Sequence, residues 1–527
     1  PLSTASSIAS KFTTPARLTR MNLAPFCMDP KSLSSAKDHA ISSPEHTSIL
    51  IVGAGFAGIG MGIRLLQAGR KDFLILEKAP RVGGTWRDNT YPGAACDVPS
   101  HLYSFSFAPY PEWKHRYSRQ EQILIYMEKC VEDFGLAPYI RFEQQVERLE
   151  WDEAAAQWRV ETKDGPGFTA TVTVSGIGPL TEPNIPDFPG RNDFQGPAFH
   201  TSRWEHDVDL KGKRVAVVGT GASAIQVIPE LAEEVAQLTV FQRSPAWVMP
   251  RHDRPYSERK QRMHARFPFL QSIKRQFMYM RMEAAAIGFV RYPGILRAAS
   301  GMVTRSIRKS VKSPELRKAL TPNYQMGCKR ILRSDDYYPA MARENVTLVA
   351  QPVTEMDATG ITDAAGNRHE IDAIVYATGF IASENMARFD IIGRNGQNLK
   401  ELWQMGGEAY LGTAVHGFPN SFIIVGPNTG LGHNSMIHII ESQLNYIVDA
   451  VQKMSAQGLK KVDVRKDVQD QYNVRIQKRM AKTVWKTGGC NSWYLNSEGK
   501  NTTLWPGYTF EFRRKTKRFR ANDYDCE

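Results

Sequence analysis

The sequence predicts an α/β protein built from two Rossmann-like dinucleotide-binding units, with a helical segment inserted in the second. Three observations carry this expectation. A glycine turn at Gly53 stands between a strand pattern and a helix pattern, and the same grammar returns at Gly219. The stretch 252–320 then lacks strand signals and carries Arg, Lys, Met and Phe at helical spacing.

The first unit begins near Ser48. Ile49-Leu50-Ile51-Val52 is apolar without alternation, as a parallel strand buried on both faces requires. Gly53-Ala-Gly55-Phe-Ala-Gly58 follows, then a helical pattern over Ile59–Gln67 that Gly69 ends, then a strand Phe73–Leu76 closing at Glu77. In the second unit Val215–Val218 is the strand, Gly219-Thr220-Gly221-Ala222-Ser223-Ala224 the turn and Ile225–Ala236 the helix. Leu238–Phe241 is the next strand. A third strand signal is Asp372–Gly379, and Thr509–Phe512 reads as an edge strand. The expected partition is an N-terminal extension over 1–44, a first dinucleotide segment over 45–185, and a second dinucleotide domain over 186–371 with its insertion near 252–320. The first domain then resumes over 372–527.

In each turn the first glycine permits the tight bend, the second lets backbone approach a pyrophosphate, and the third position lets helix pack on strand. The pyrophosphate then lies on the positive end of the helix dipole. The residue closing the second strand tells the sites apart. Glu77 can accept hydrogen bonds from a ribose diol, whereas Arg243, at the same offset from Gly219, suits a 2′-phosphate. The first site is therefore expected to hold FAD (or NAD) and the second NADPH, with Thr220, Ala222, Ser223, Gln226 and Ser244 among the NADPH contacts. Gly83-Gly84-Thr85-Trp86 adds backbone room beside the flavin, with Trp86 able to stack over it.

Composition narrows the classes. The 527 residues allow two or three domains with substantial cores. Hydrophobic residues at 42% and charged residues at 23% are ordinary for a globular protein. The balance of 67 Lys and Arg against 54 Asp and Glu gives +13, readable as a nucleic-acid surface or as sites for phosphate-rich cofactors. No long basic tract precedes Arg513–Arg518, which reads as a solvated strand or tail, so no nucleic acid is expected. Six scattered cysteines form no Cys-x-x-Cys pair, which leaves no metal site and fits a reducing, cytoplasmic compartment. No run of 18 apolar residues occurs, so no stable membrane insertion is expected. Residues 1–28 lack acids and carry Lys11, Arg17 and Arg20, which suits an organelle transit peptide or, more plainly, an extension.

Between the two turns lies Phe194-Gln-Gly196-Pro-Ala-Phe-His200-Thr-Ser-Arg-Trp204. With it the chain, over roughly residues 45–515, resembles the type I Baeyer–Villiger monooxygenases, whose fingerprint is F-x-G-x-x-x-H-x-x-x-W. The family continues with Pro or Asp, where this chain has Glu205. Related flavin-containing monooxygenases, which oxygenate nitrogen or sulfur, usually have Tyr or Phe at the place of Trp204. On its own chemistry His200 is a general-base candidate; the resemblance implies a linker role that helps domain movement.

The resemblance implies further roles. In Met326-Gly-Cys-Lys329-Arg330 it places Lys329 with Arg243 on the 2′-phosphate and Arg330 beside the flavin as the catalytic cation. In Tyr91-Pro-Gly-Ala-Ala-Cys-Asp97 it makes Asp97 the partner that orients Arg330. It sets Tyr103 near the flavin edge, brings the segment from Gly426 to Met436 against the isoalloxazine, and gives Trp493 a mobile-loop contact with bound NADP. The implied reaction is oxygen insertion beside a ketone carbonyl, with O2 captured as a C4a-peroxyflavin, to give an ester or lactone. An always-protonated guanidinium suits the anionic peroxide and the oxyanion that follows. Amine or thioether oxygenation is the alternative. A disulfide reductase would need a redox Cys pair beside the flavin, and the sequence offers none. Parts of 250–330 and 485–500 are expected to wall the substrate pocket, and the Met- and Phe-rich stripe of the insertion reads as core or as apolar pocket.

Overall fold

Strand β1, Glu45–Val52, is the axis of the first sheet because its last four residues are buried on both faces. The computed structural model describes residues 44–381, 387–490 and 492–527; the expected extension lies outside them up to residue 43. Helix α1, Phe56–Gln67, returns along the sheet, and β2, Phe73–Leu76, pairs parallel to β1 with Ile51 opposite Ile75. On the other side β3, Phe168–Ser175, is also parallel to β1. Two antiparallel strands, Gln157–Thr162 and Val146–Asp152, continue the sheet. The late strands Asp390–Ile392 and Ser421–Ile423 join it, so the C-terminal part of the chain returns to the first unit. The long helix Met436–Gln457 packs on α1 and closes this core.

The second sheet is parallel throughout, with five strands among the described residues. Strand β4, Arg214–Val218, feeds α2, Ala224–Glu234, which leads to β5, Gln237–Phe241. Val346–Val349 flanks β5, and β6, Ala373–Tyr376, lies between β4 and Ala198–His200. The sequence assigned 372 onward to the returning first domain. The strand instead stays in the second sheet, because Ala373–Tyr376 is buried on both faces against β4 and Ala198–His200.

The insertion consists of α3, Glu258–Arg266, α4, Pro268–Val290, α5, Gly294–Ser310, and a short helix Pro314–Leu320. Its inner side packs Phe289, Leu296, Val303 and Ile307 into the core and is also tied by polar contacts. Gln271 donates to the Tyr110 carbonyl at 2.9 Å, and Arg275 donates to the carbonyls of His101 and Ser104 at 2.7 Å. The expected Met- and Phe-rich stripe divides: Met278, Met282 and Phe289 pack on the core, whereas Phe269, Ile273 and Phe277 of α4 are 58%, 62% and 70% exposed.

Thr509–Phe512 is not an edge strand. It opens α6, Thr509–Lys515, which also contains the start of the basic tract. Two features favour the helix over the strand. Phe512 and Thr516 are buried four residues apart, at helical spacing. The buried Glu283 carboxylate accepts from the Thr509 and Phe510 amides, satisfying the orphan donors of the first turn, while Arg513, Arg514 and Lys515 lie at the favourable C-terminal end.

Glu283 also accepts from Thr509 Oγ1 at 2.6 Å and Asn434 Nδ2 at 2.8 Å. Replacing it strands several buried donors at once, so Glu283→Ala is expected to cost about 3 kcal/mol in urea unfolding, with Glu283→Gln recovering part of the loss.

Candidate active site

The first glycine turn lies where β1 meets α1. A Cβ on Gly58 would sit 1.8 Å from the Gly53 carbonyl oxygen, so helix and strand approach at a distance only glycine allows. This leaves the N-terminus of α1 open to a cavity of about 1060 Å³ lined by Gly53, Gly55, Glu77, Gly84, Thr85 and Trp86. Glu77 is buried at the end of β2. Its carboxylate accepts from the Ala54 amide at 2.8 Å, from the Ala79 amide at 3.1 Å and from Arg87 at 2.8 Å. Two carboxylate oxygens offer about four acceptor sites, so room remains for a further hydroxyl. Trp86 does not stand alone: its indole N–H donates to the Tyr103 hydroxyl at 3.1 Å, and the two rings meet edge-on at 5.6 Å. Tyr103 also lines the cavity, and burial raises its hydroxyl pKa. Met436, at the start of its helix, forms part of another wall.

The second turn opens onto the same cavity. Gly219 has φ +116°, and a side chain there would meet the Ala377 carbonyl at 2.5 Å. Thr220, Gly221, Ala222 and Ser223 line the cavity, while Ala224 is fully buried beneath them and packs helix on strand. At the end of β5 two cations gather without a counter-charge. Lys329 Nζ donates to Ser244 Oγ at 2.8 Å and stands 5.0 Å over the Tyr324 ring. Thr220 Oγ1 ties the same loop by donating to the Ser244 carbonyl at 3.0 Å. Burial lowers the Lys329 pKa, and the neighbouring Arg243 lowers it further. Neither Lys329 nor Arg243 pairs with a carboxylate among the described residues, a costly arrangement that an anion would relieve. Gln226 also lines the cavity. Its side chain accepts from the Tyr91 hydroxyl at 2.8 Å and donates to the Ala95 carbonyl at 2.9 Å, docking segment 91–97 onto α2.

Between the two turns, Arg330 Nε and Nη2 donate to the two oxygens of Asp97 at 2.9 and 2.8 Å. This bidentate fork fixes the guanidinium plane, and Asp97 holds the Arg330 pKa above its ordinary value. Both residues line the cavity. So does Tyr494, which the sequence did not single out. Burial first, then the Asp97 charge, pushes its pKa up to about 12 against the opposing effect of Arg330, so it stays protonated at neutral pH. Trp493 lies at the mouth, 46% exposed, with its ring 4.5 Å from that of Tyr494. Only Arg330's neighbourhood in space marks Tyr494; no spacing in the chain does.

The fingerprint residues lie off the cavity. Phe194 packs beside the second sheet, Gly196 sits where a Cβ would strike the Asp372 carbonyl at 2.4 Å, and Trp204 meets Phe199 edge-on at 5.1 Å. His200 ends the outer strand of that sheet. Its Nδ1 accepts from the Ser202 amide at 3.1 Å, and burial lowers its pKa to about 4, so it is neutral at pH 7. The imidazole itself does not line the cavity; its ring packs against Phe380, which does.

Two expectations change here. The first changes in part: of 250–330, Tyr324, Lys329 and Arg330 line the cavity, whereas between Ala246 and Tyr324, which spans the helical insertion, no residue does. The cysteines are not all separate, since Cys328 and Cys490 form a disulfide across 162 residues. It joins the segment carrying Lys329 and Arg330 to the segment carrying Trp493 and Tyr494. Neither cysteine lines the cavity, so the pair is not placed to exchange electrons with a ligand there.

Two glycine turns facing one cavity, one beside a carboxylate and the other beside unpaired cations, define a two-dinucleotide oxidoreductase. The family model for pyridine nucleotide-disulphide oxidoreductases matches residues 50–286. A Baeyer–Villiger monooxygenase of Pseudomonas aeruginosa is 45% identical over 94% of both chains. One of Streptomyces coelicolor is 47% identical over 91% of this chain and 92% of the relative. The crystal structure of OTEMO in complex with FAD and NADP superposes with a TM-score of 0.83 at 26% identity, over 92% of this chain and all of that one. The chain belongs to the Baeyer–Villiger monooxygenase family.

If the paired cations read the 2′-phosphate, Arg243→Ala and Lys329→Ala should each raise KM for NADPH by about tenfold or more while leaving KM for NADH nearly unchanged. Because the Lys329 pKa is lowered, its charge is lost at a lower pH than that of an ordinary lysine. KM for NADPH should therefore rise on the alkaline side, and Lys329→Arg should flatten that rise.

Proposed function

We infer that this protein is an FAD- and NADPH-dependent Baeyer–Villiger monooxygenase that uses O2 to convert ketones to esters or lactones. The observation that carries the reading is the Asp97–Arg330 fork, set in the cavity onto which both dinucleotide turns open.

The residues fit the cofactors. Gly55 and Gly221 line the cavity, and a Cβ on either would meet nothing closer than 4.0 Å, so it would project into open space where a pyrophosphate needs room. Gly53, Gly55, Glu77, Gly84, Thr85, Trp86, Tyr103 and Met436 would hold FAD. Gly219, Thr220, Gly221, Ala222, Ser223, Arg243, Ser244, Lys329 and Trp493 would hold NADPH, while Gln226 supports that site by docking segment 91–97. When bound, FAD reduced by NADPH supplies the activated oxygen that enters beside the ketone carbonyl.

The chain's own residues set the conditions for that insertion. Arg330 keeps its proton at every working pH, and Asp97 holds one edge of its guanidinium, Nε and Nη2. Among the described residues no acceptor pairs with Nη1, which leaves part of the fork for negative charge on a reacting oxygen. Protonated Tyr494 adds a hydroxyl beside the fork without adding charge. Its ring packs against that of Trp493, and both line this cavity.

Arg330→Ala should still let NADPH bleach the flavin absorbance within a few-fold of the native rate. Its ketone-dependent ester formation, followed by gas chromatography over a panel of linear, cyclic and aryl ketones, should fall by about a hundredfold or more. Native protein that yields only N- or S-oxides, or an Arg330→Ala variant that keeps full ester formation, would contradict the assignment.

A further inference from the structure

The helical insertion contributes nothing to the cavity, yet it holds most of the chain's unbalanced charge and, among the described residues, half of the exposed large apolar side chains. Residues 258–318 contain fifteen Lys and Arg against three Asp and Glu, which is +12 of the chain's formal +13. Of those three acids, Glu283 is buried, while Glu258 and Glu315 lie in the first turns of their helices. Of the eighteen most exposed large apolar side chains among the described residues, nine lie between Met263 and Met302.

The two features share the same helices. On α4, Phe269, Ile273, Phe277 and Met280 recur at helical spacing and are all exposed, whereas Gln271, Arg275 and Glu283 are turned toward the rest of the protein. The helix thus exposes an apolar stripe, while Met278, Tyr279, Met282 and Phe289 pack inward on the core. Its inner face is held by the hydrogen bonds to Tyr110, His101, Ser104, Asn434 and Thr509. Helix α5 packs against α4 and exposes Ile295 and Met302 on the same surface as Arg305 and Lys309. Arg281, Arg291, Arg297, Arg305, Arg308 and Lys309 are exposed, and none forms an ion pair among the described residues.

We propose that the outer face of α3, α4 and α5 is a docking surface for an anionic lipid bilayer. A lone apolar stripe would fit many partners; the uncompensated cations select a negative one. A second copy of this chain would set one cation-rich face against another, which like-charge repulsion opposes. Nucleic acid would use the cations but leave two phenylalanines and an isoleucine exposed to water. A bilayer of anionic headgroups over acyl chains satisfies both features at once, the aromatic and aliphatic side chains entering below the headgroups and the Arg and Lys pairing with them. No described helix is long and apolar enough to cross a membrane, so the binding is peripheral.

The test uses the full-length holoenzyme and sucrose-loaded vesicles, either of pure phosphatidylcholine or of phosphatidylcholine with about one third phosphatidylglycerol, a mixture that supplies the surface charge. The protein should sediment with the anionic vesicles, not with the neutral ones, and should be released as salt is raised. F269E/F277E and R305E/R308E/K309E should each weaken that partition by about tenfold or more while ketone-dependent NADPH oxidation with a water-soluble ketone stays unchanged. The two variants alter different chemistry on exposed positions, and retained flavin absorbance reports folding of each. Equal sedimentation of native protein and F269E/F277E overturns the proposal, as does equal binding to neutral vesicles. So does a concentration-dependent dimer that F269E/F277E dissociates in the absence of vesicle binding. Tighter binding to duplex DNA than to vesicles, unchanged in F269E/F277E, also overturns it.

Discussion

The bidentate pair between Asp97 and Arg330 joins residues separated by 233 positions, and it is the contact around which the two dinucleotide units are arranged. Asp97 ends the segment that α2 holds through Gln226, Tyr91 and Ala95. Arg330 ends the segment that begins at Met326 and carries Lys329 toward the second turn. The fork thus fixes a cation between the two turns in a geometry that a lone arginine, with its many rotamers, would not keep. A partly buried guanidinium left without its carboxylate would be both poorly placed and poorly solvated.

Around that fork the charges are sorted by task. Glu77 is satisfied by backbone amides and Arg87 and leaves limited acceptor capacity toward the first turn. Among the described residues Lys329 and Arg243 are left without carboxylates toward the second turn, a charge that a phosphate group would compensate. The third accumulation of cations, on the insertion, has no counterpart in the cavity and faces solvent beside an apolar stripe. A single formal charge of +13 therefore conceals distinct electrostatic devices, and only their positions tell them apart.

Much of the architecture was legible because it is local. Each strand–turn–helix unit is specified within a few dozen residues: a buried apolar run, glycines where a Cβ would strike backbone, and a closing Glu77 or Arg243. The expected strands at 215–218 and 238–241 and the helix after Ala224 appear within a residue or two. Residues 373–376 were readable as a strand, but their sheet was not, since an apolar run suits either neighbour. Thr509–Phe512 reads equally as strand or helix in isolation; Glu283, 226 residues earlier, supplies the carboxylate that favours the helix.

The sequence by itself determined the two dinucleotide turns, the acidic and basic residues that distinguish them and, through resemblance, the pairing of Asp97 with Arg330. Tertiary structure alone brought Tyr494 to the fork, joined Cys328 to Cys490 and took the insertion away from the cavity. It also turned Phe269, Ile273 and Phe277 outward. Periodicity specifies that apolar residues share one face of a helix. Which way that face points depends on where the inward side finds its contacts, and for α4 the hydrogen-bond partners lie on segments more than a hundred residues away in the chain.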